Sequence, residues 1–359
     1  MSLPRRDFAK TLAAGMAGAA ALGLPAMEAR AATAPAAGAA PRLAPILPKS
    51  LQPGDTVGLV SPASATFEND GFDYAIASLE ALGFKVKEGR HLRSRWGKWG
   101  GTDAERAGDI NAMFADPEVA GIFAMTGGSG CTRIVDKLDY DVIRRHPKYF
   151  GGFSDITCLL NGITRQTGVV TFHAPVAESE WNGFSVDLFK ATVMRGETPV
   201  MRNFVDTHAD NLVPKADRTH TVRGGKARGV LVGGNLCVLA AMAGSAYFPD
   251  CRGAILFIEE TNEQLYRVER TLSTLRLCGA FDHLAGVVVG QFTQCEPGDG
   301  YGMLTLEEIL ADYFLPLGVP VYRGAMIGHI KRKFTMPVGA LAEIDADAGT
   351  IQLVAPAVA

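Results

Sequence analysis

The stretch Tyr149-Phe150-Gly151-Gly152-Phe153-Ser154-Asp155-Ile156-Thr157 decides the fold. An apolar run ends in two glycines and a serine follows. Polar residues come next, then the apolar Cys158-Leu159-Leu160. This is the pattern of a strand that leaves a sheet, turns sharply and enters a helix. Glycine tolerates the tight backbone path, and Asp155 or Thr157 in the first helical turn can satisfy free N–H groups. A serine at such a corner is pushed out of the sheet edge beside exposed N–H groups, as in a nucleophile elbow. Ile156 stands where the second glycine of G-x-S-x-G belongs. A capped helix start after a buried strand accounts for the same letters, so both readings stay open on this stretch alone.

Upstream, 56–60 reads as a strand, 72–82 as a helix closed by Gly83, and 84–87 as a second strand. Residues 94–102 form a polar loop rich in Trp and Gly. A helix over 103–114 is stopped by Asp116-Pro117, and 119–125 is a third strand. Strands alternating with helices argue for an α/β fold with a parallel sheet, which holds ligands at the carboxyl ends of its strands. Two loops fall at such ends: the Ser154 corner and Thr126-Gly127-Gly128-Ser129-Gly130-Cys131. The glycine loop reads three ways. It is a plain tight turn, a phosphate cradle lacking the usual motif, or a set of N–H groups for an oxyanion or carboxylate. Arg133 beside it adds a positive charge.

Downstream, 168–173 reads as a strand, and 174–225 is irregular enough to hold a domain connection. Gly233-Gly234-Asn235-Leu236 leads into a helix over 237–243. A strand over 254–258 ends in Glu259-Glu260. A helix over 264–277, a strand over 284–290 and a helix over 304–314 follow. Residues 334–353 read as a closing β-hairpin region.

The 359 residues suffice for two domains with real cores. With 47% hydrophobic and 20% charged residues and a net charge of −3, bulk charge recruits neither nucleic acid nor an anionic membrane. Pro4-Arg5-Arg6-Asp7-Phe8-Ala9-Lys10 precedes an Ala/Gly/Leu run to Leu24, and Ala29-Arg30-Ala31 offers a cleavage site. This fits a removable twin-arginine export signal over 1–31, followed by a flexible tether over 32–45. The expected localisation is periplasmic. The apolar segment is too short to span a bilayer, and no nearby cysteine offers a lipid site, so no stable membrane anchor is expected. Export in the folded state does not require Cys131, Cys158, Cys237, Cys251, Cys278 and Cys295 to form a disulfide framework. Their spacing matches no zinc pattern, and most read as small buried hydrophobes. No metal and no cofactor are expected.

With these residues in view, the chain resembles the LD-carboxypeptidase family of serine peptidases, which includes microcin self-immunity peptidases. The resemblance runs from about Gly54 to about Leu353. It rests on Gly54-Asp55-Thr56-Val57 with Ser61-Pro62, Gly127-Gly128-x-Gly130-x-x-Arg133, Gly152-Phe153-Ser154-Asp155-Ile156-Thr157 and Phe172-His173-Ala174-Pro175. Further along come Gly233-Gly234-Asn235-Leu236, Ile255-Leu256-Phe257-Ile258-Glu259-Glu260, Tyr266-Arg267-Val268-Glu269-Arg270 and Gly328-His329.

The resemblance implies an amino-terminal domain over 46–180 like class I glutamine amidotransferases, carrying the nucleophile. A connection over 181–225 and a β-rich carboxy-terminal domain over 226–359 follow. It implies a catalytic triad of Ser154, Glu259 and His329, and a homodimer. The N–H groups of Gly128 and Asp155 suit an oxyanion hole, and Gly127 and Arg133 are candidates for substrate binding. The family often has Arg-Gly-Gly-Tyr-Gly where this chain has Thr126-Gly127-Gly128-Ser129-Gly130, which leaves substrate detail open.

Bland roles are expected for the remaining candidates. His173 reads as a hydrogen-bonded structural histidine, Glu260 as an exposed or interface neighbour, and Cys131 as a small loop residue. Arg267 and Arg270 read as partners of Glu263 or Glu269, and Trp96 and Trp99 as cleft lining or loop cover. The implied activity releases the terminal D-alanine from murein tetrapeptides, with a murein peptide as partner. The alternatives are a microcin-type immunity peptidase and a peptidoglycan-binding protein without turnover.

Overall fold

The computed structural model describes residues 42–206, 212–213, 216–298, 302 and 304–359. The expected export signal and residues 32–41 of the expected tether lie outside these residues.

Apolar runs punctuated by glycine build the first sheet. Its strands β1 (Thr56–Val60), β2 (Lys85–Glu88), β3 (Val119–Ala124), β4 (Tyr149–Gly152) and β5 (Thr171–His173) run parallel in the order β5-β4-β3-β1-β2. The helices α1 (Asn69–Ala81), α2 (Asp103–Ala115), α3 (Tyr140–Arg145) and α4 (Thr157–Thr167) lie between successive strands. Helix α2 starts on a capping box, in which Thr102 and Glu105 satisfy each other's backbone N–H. Strands β3 and β4 are almost wholly buried, as helices on both faces require, whereas β2 at the edge exposes Lys85 and Glu88. Chain order reverses between β1 and β3, so the loops leaving their carboxyl ends flank the crevice where α/β sheets bind ligands.

The second sheet has eight strands in the order β6-β14-β13-β8-β9-β10-β11-β7. They are β6 (Val200–Met201), β7 (His220–Arg223), β8 (Lys226–Asn235), β9 (Ala254–Thr261), β10 (Gly286–Thr293), β11 (Val321–Arg323), β13 (Leu341–Asp345) and β14 (Thr350–Leu353). Strands β8 to β11 are parallel and the outer pairs antiparallel. Helices α6 (Leu236–Ala241), α7 (Leu265–Leu277) and α8 (Leu306–Phe314) lie between the parallel strands, and a separate apolar core centred on Leu256, Leu272, Val287 and Phe314 sits beneath them.

Two segments depart from the sequence reading. The irregular 174–225 contains α5 (Gly183–Phe189), too short to show a period but capped by the Asn182 side chain. The expected closing hairpin is β13–β14 alone. The segment before it, β12 (Met336–Val338), crosses to the first sheet and pairs antiparallel with β5. A partner so distant in sequence leaves no local trace.

Aromatic rings fill the space beneath β3, β4 and β5. Tyr149 lies 4.8 Å from Phe123, 4.9 Å from Phe172 and 5.7 Å from Phe189, ring to ring. Its hydroxyl is buried without a hydrogen-bond partner among the described residues. Losing an unsatisfied buried hydroxyl removes a desolvation cost. Tyr149→Phe is therefore expected to hold or raise stability, by up to about 1–2 kcal/mol. A thermal melt checks this, and a clear fall in Tm would reveal a partner for the hydroxyl.

Candidate active site

Ser154 leaves β4 with φ +62°, a left-handed conformation that only a few per cent of non-glycine residues adopt. Phe153 before it is extended, and a 3-10 turn over Ser154–Ile156 runs straight into α4. The strained corner lifts the side chain off the sheet edge, which is the elbow arrangement. The glycine loop after β3 lies against it. A Cβ on Gly127 would come within 2.8 Å of the Ser154 Cβ, so a larger residue there would displace the serine.

The imidazole of His329 lies between the serine and Glu259. Its Nε2 is 2.9 Å from Ser154 Oγ, and its Nδ1 is 2.8 Å from Glu259 Oε2. With Nδ1–H donating to the carboxylate, Nε2 offers its lone pair to the serine O–H. Glu259 is fully buried, and its Oε1 has no partner among the described residues. Gly328, at φ +122°, lets the chain pass close over that carboxylate, because a Cβ there would sit 2.8 Å from Oε2.

The serine follows a strand of the first sheet, whereas Glu259 lies toward the carboxyl end of β9 in the second. Helix α4, which begins behind Ser154, joins them. Asn161 Nδ2 donates to Gly233 O (2.8 Å), and Asn161 Oδ1 accepts from Gly233 N–H (3.3 Å). Thr157 Oγ1 accepts from Asn235 N–H at 2.9 Å. Asn235 on β8 is in register with Glu259 on β9. The sequence marks Thr157 only as a helix-start residue, and Asn161 reads as an ordinary helix residue.

The remaining candidates fall around this array. Gly127 and Gly128 line the cleft together with Ser64, Phe67, Phe153 and Glu178. Gly128 has φ +115°, and neither its N–H nor that of Asp155 has a partner among the described residues. Asp155 turns its carboxylate to the glycine loop, where Oδ2 accepts from Cys131 N–H at 2.8 Å. Cys131 is buried, and burial, with Asp155 close by, drives its thiol far up, which leaves it an inert thiol. Arg133 does not line the serine's cleft. It forms a two-pronged pair with Asp103, at 2.9 Å on each prong, and stacks 4.9 Å from Trp99. Arg267 pairs with Glu263 at 3.6 Å.

Two expectations are corrected. Glu260 is buried on the face of β9 opposite Glu259, because both faces of this strand are covered by apolar cores. It accepts from Asn235 Nδ2, Cys237 N–H and Thr261 N–H at 2.8–2.9 Å. His173 has no hydrogen-bond partner on either ring nitrogen among the described residues. It packs edge-on 5.5 Å from Phe257 and tilted 6.0 Å from Phe153. Burial, then the charges of Lys333 and His329, pushes its pKa down to about 3.

The profile of the LD-carboxypeptidase N-terminal domain matches residues 57–174, and that of the C-terminal domain matches residues 228–344. The probable murein peptide carboxypeptidase of Bacillus subtilis (strain 168) is 37% identical over 298 residues, covering 83% of this chain and 91% of that protein. The microcin C7 self-immunity protein MccF of Escherichia coli is 28% identical over 333 residues, 86% of this chain and 96% of its own. The solved wild-type apo state of MccF superposes with a TM-score of 0.78 at 26% identity, covering 88% of this chain and all of that one. A solved muramoyltetrapeptide carboxypeptidase from Oxalobacter formigenes gives a TM-score of 0.71 at 29% identity, covering 83% and 97%.

The buried His173 ties stability to pH. The unfolded chain takes up this proton near pH 6.5 and the folded chain near pH 3. The contribution is therefore complete above about pH 6.5 and is lost as pH falls toward about 3, at about 1.4 kcal/mol per unit. His173→Phe keeps the ring packing and should flatten the fall in stability between pH 6 and 4 by one proton's worth. Urea unfolding of the native protein and the variant across that range measures it, and parallel curves would refute a neutral His173.

Proposed function

The chain belongs to the LD-carboxypeptidase family, and from that premise we propose that it is a serine peptidase that releases the terminal D-alanine of murein tetrapeptides. The observation that carries this reading is the unbroken relay from Ser154 Oγ through His329 to the Glu259 carboxylate.

A neutral serine is a weak nucleophile and needs a base within hydrogen-bond reach. Ser154 Oγ attacks the carbonyl carbon of the diamino acid and gives its proton to His329 Nε2. Glu259 holds the imidazole in the productive tautomer and stabilises the imidazolium. The oxyanion accepts from the N–H groups of Gly128 and Asp155, each worth about a hundred- to a thousandfold in rate. His329 then gives its proton to the D-alanine nitrogen as the C–N bond breaks. Water, giving a proton to His329, attacks the acyl-enzyme ester and frees Ser154. The amino-terminal arginine pair supports export, which would set the enzyme beside the wall that supplies its substrate.

A second reading, hydrolysis of an aminoacyl sulfamoyl nucleoside, draws support from the superposition with MccF, solved structures of which hold such conjugates. An exported enzyme would not meet a cytoplasmic toxin, which favours the murein peptide.

Purified protein incubated with tetrapeptide muropeptide should yield free D-alanine by mass spectrometry. Ser154→Ala should abolish release, and Glu259→Gln should slow it roughly 10³–10⁴-fold. No release from the muropeptide, with cleavage of an aminoacyl sulfamoyl adenosine instead, would shift the assignment to the second reading. Binding without release of either would leave a peptidoglycan-binding module.

A further inference from the structure

Past His329 the cleft continues along Phe153 and Val176 to Ile330 and Lys333. Lys333 is only 5% exposed, yet its Nζ donates to nothing among the described residues and pairs with no carboxylate. It sits 3.8 Å over the face of the Phe153 ring. The other edge of that ring meets His329, 5.0 Å away. Lys148 supplies the contrast within the same chain. It is similarly buried but gives its protons to the carbonyls of Met113 and Asp116, as a structural lysine does. A largely buried lysine whose ammonium reaches the cleft with only an aromatic face beside it costs stability, and such a cost is tolerated where a ligand completes the site.

We propose that Lys333 anchors the free α-carboxylate of the departing D-amino acid, the feature that makes the enzyme a carboxypeptidase. The proposal rests on the peptidase reading above. In that chemistry the leaving nitrogen takes its proton from His329 Nε2, so the leaving residue lies on the histidine's side of Ser154. Lys333 lies on that side, across the Phe153 ring. A carboxylate one carbon beyond the nitrogen is directed toward it, and a charge-assisted hydrogen bond in this sheltered arm is strong. The acidic rim does not intervene. Exposed Glu180 is taken by Lys331 at 2.9 Å, and Glu178 turns its carboxylate toward Gly71 on α1.

The groups facing the ammonium are Glu259 and Glu180, which favour its charge, and the rings of His173 and His329. Burial wins over the two acids and pulls the lysine down to about 8, so the anchor is charged at neutral pH and discharges just above it.

The test compares a tetrapeptide ending in free D-alanine with the same peptide ending in D-alaninamide. For the native enzyme KM should be at least about 30-fold lower for the acid. Lys333→Met should erase that preference through KM, with kcat little changed. Its Tm should hold or rise, since a buried charge is gone. A second arm leaves Lys333 in place: raising the pH through 8 should weaken binding of the acid to Ser154→Ala, followed by calorimetry, and leave binding of the amide unchanged. A Lys333→Met enzyme that keeps the acid preference, or binding of the acid that is flat through pH 8, overturns the anchor while D-alanine release still stands. No release and no binding of either peptide would instead remove the peptidase reading and the anchor with it.

Discussion

Two side chains on one helix hold the site together. Thr157 and Asn161, one turn apart on α4, bond to the backbone of Gly233 and Asn235 at the end of β8. Helix α4 starts where Ser154 ends, and β8 is in register with the strand that ends in Glu259. The serine and the carboxylate come from different sheets, so their separation is fixed by this joint. A tight hydrogen-bond relay tolerates little play, and a shift of about 1 Å in such an array can cost on the order of a hundredfold in rate. Glycine is required at the joint: a Cβ on Gly234 would fall 2.4 Å from Thr157 Oγ1, and one on Gly233 would strike the backbone of Phe257.

Burial of Glu259 sets the second constraint. A carboxylate removed from water needs a partner, and breaking a buried pair typically costs about 3–5 kcal/mol. His329 Nδ1 is the one partner of Glu259 among the described residues, so the same contact that orients the imidazole also relieves the acid. Structure and proposed chemistry thus draw on one hydrogen bond. The adjacent Glu260 faces the opposite way and is satisfied by three donors, so the strand's two-residue period alone separates the two acids.

The legible parts of the chain are those whose physics is local. Glycine-serine spacing marks the Ser154 corner, and alternating strands and helices mark the parallel sheet. The strand ending in Glu259-Glu260 delivers an acid to a carboxyl-terminal edge. What could not be read depends on contacts between distant residues. The crossing of β12 to β5 leaves no mark in its own letters. Arg133 reads as a substrate-binding charge beside the glycine loop until Asp103, on another helix, claims it. His173 was expected to be hydrogen-bonded because that is how buried polar groups usually persist. It is instead neutral among aromatic rings, a state set by burial against Phe153 and Phe257 and by the nearby Lys333 rather than by neighbours in sequence.

Several such departures meet in the serine's cleft. The left-handed serine, the unpartnered Oε1 of Glu259, the unbonded rings of His173 and the unpaired ammonium of Lys333 all lie around Phe153. Each departs from a common tendency of folded chains: non-glycine residues avoid positive φ, and buried polar atoms find partners. A sequence selected only for stability would place an apolar side chain at 333, where two carboxylates are too distant to pair and burial already weakens the charge. Departures of several kinds gathered around one ring are what a site completed by a ligand would show. The ring of Phe153 is the common wall of that cleft. It meets His329 on one edge and the ammonium on its face, so the proton relay and the proposed carboxylate anchor share one low-dielectric surface, across which the Glu259 carboxylate favours the ammonium's charge.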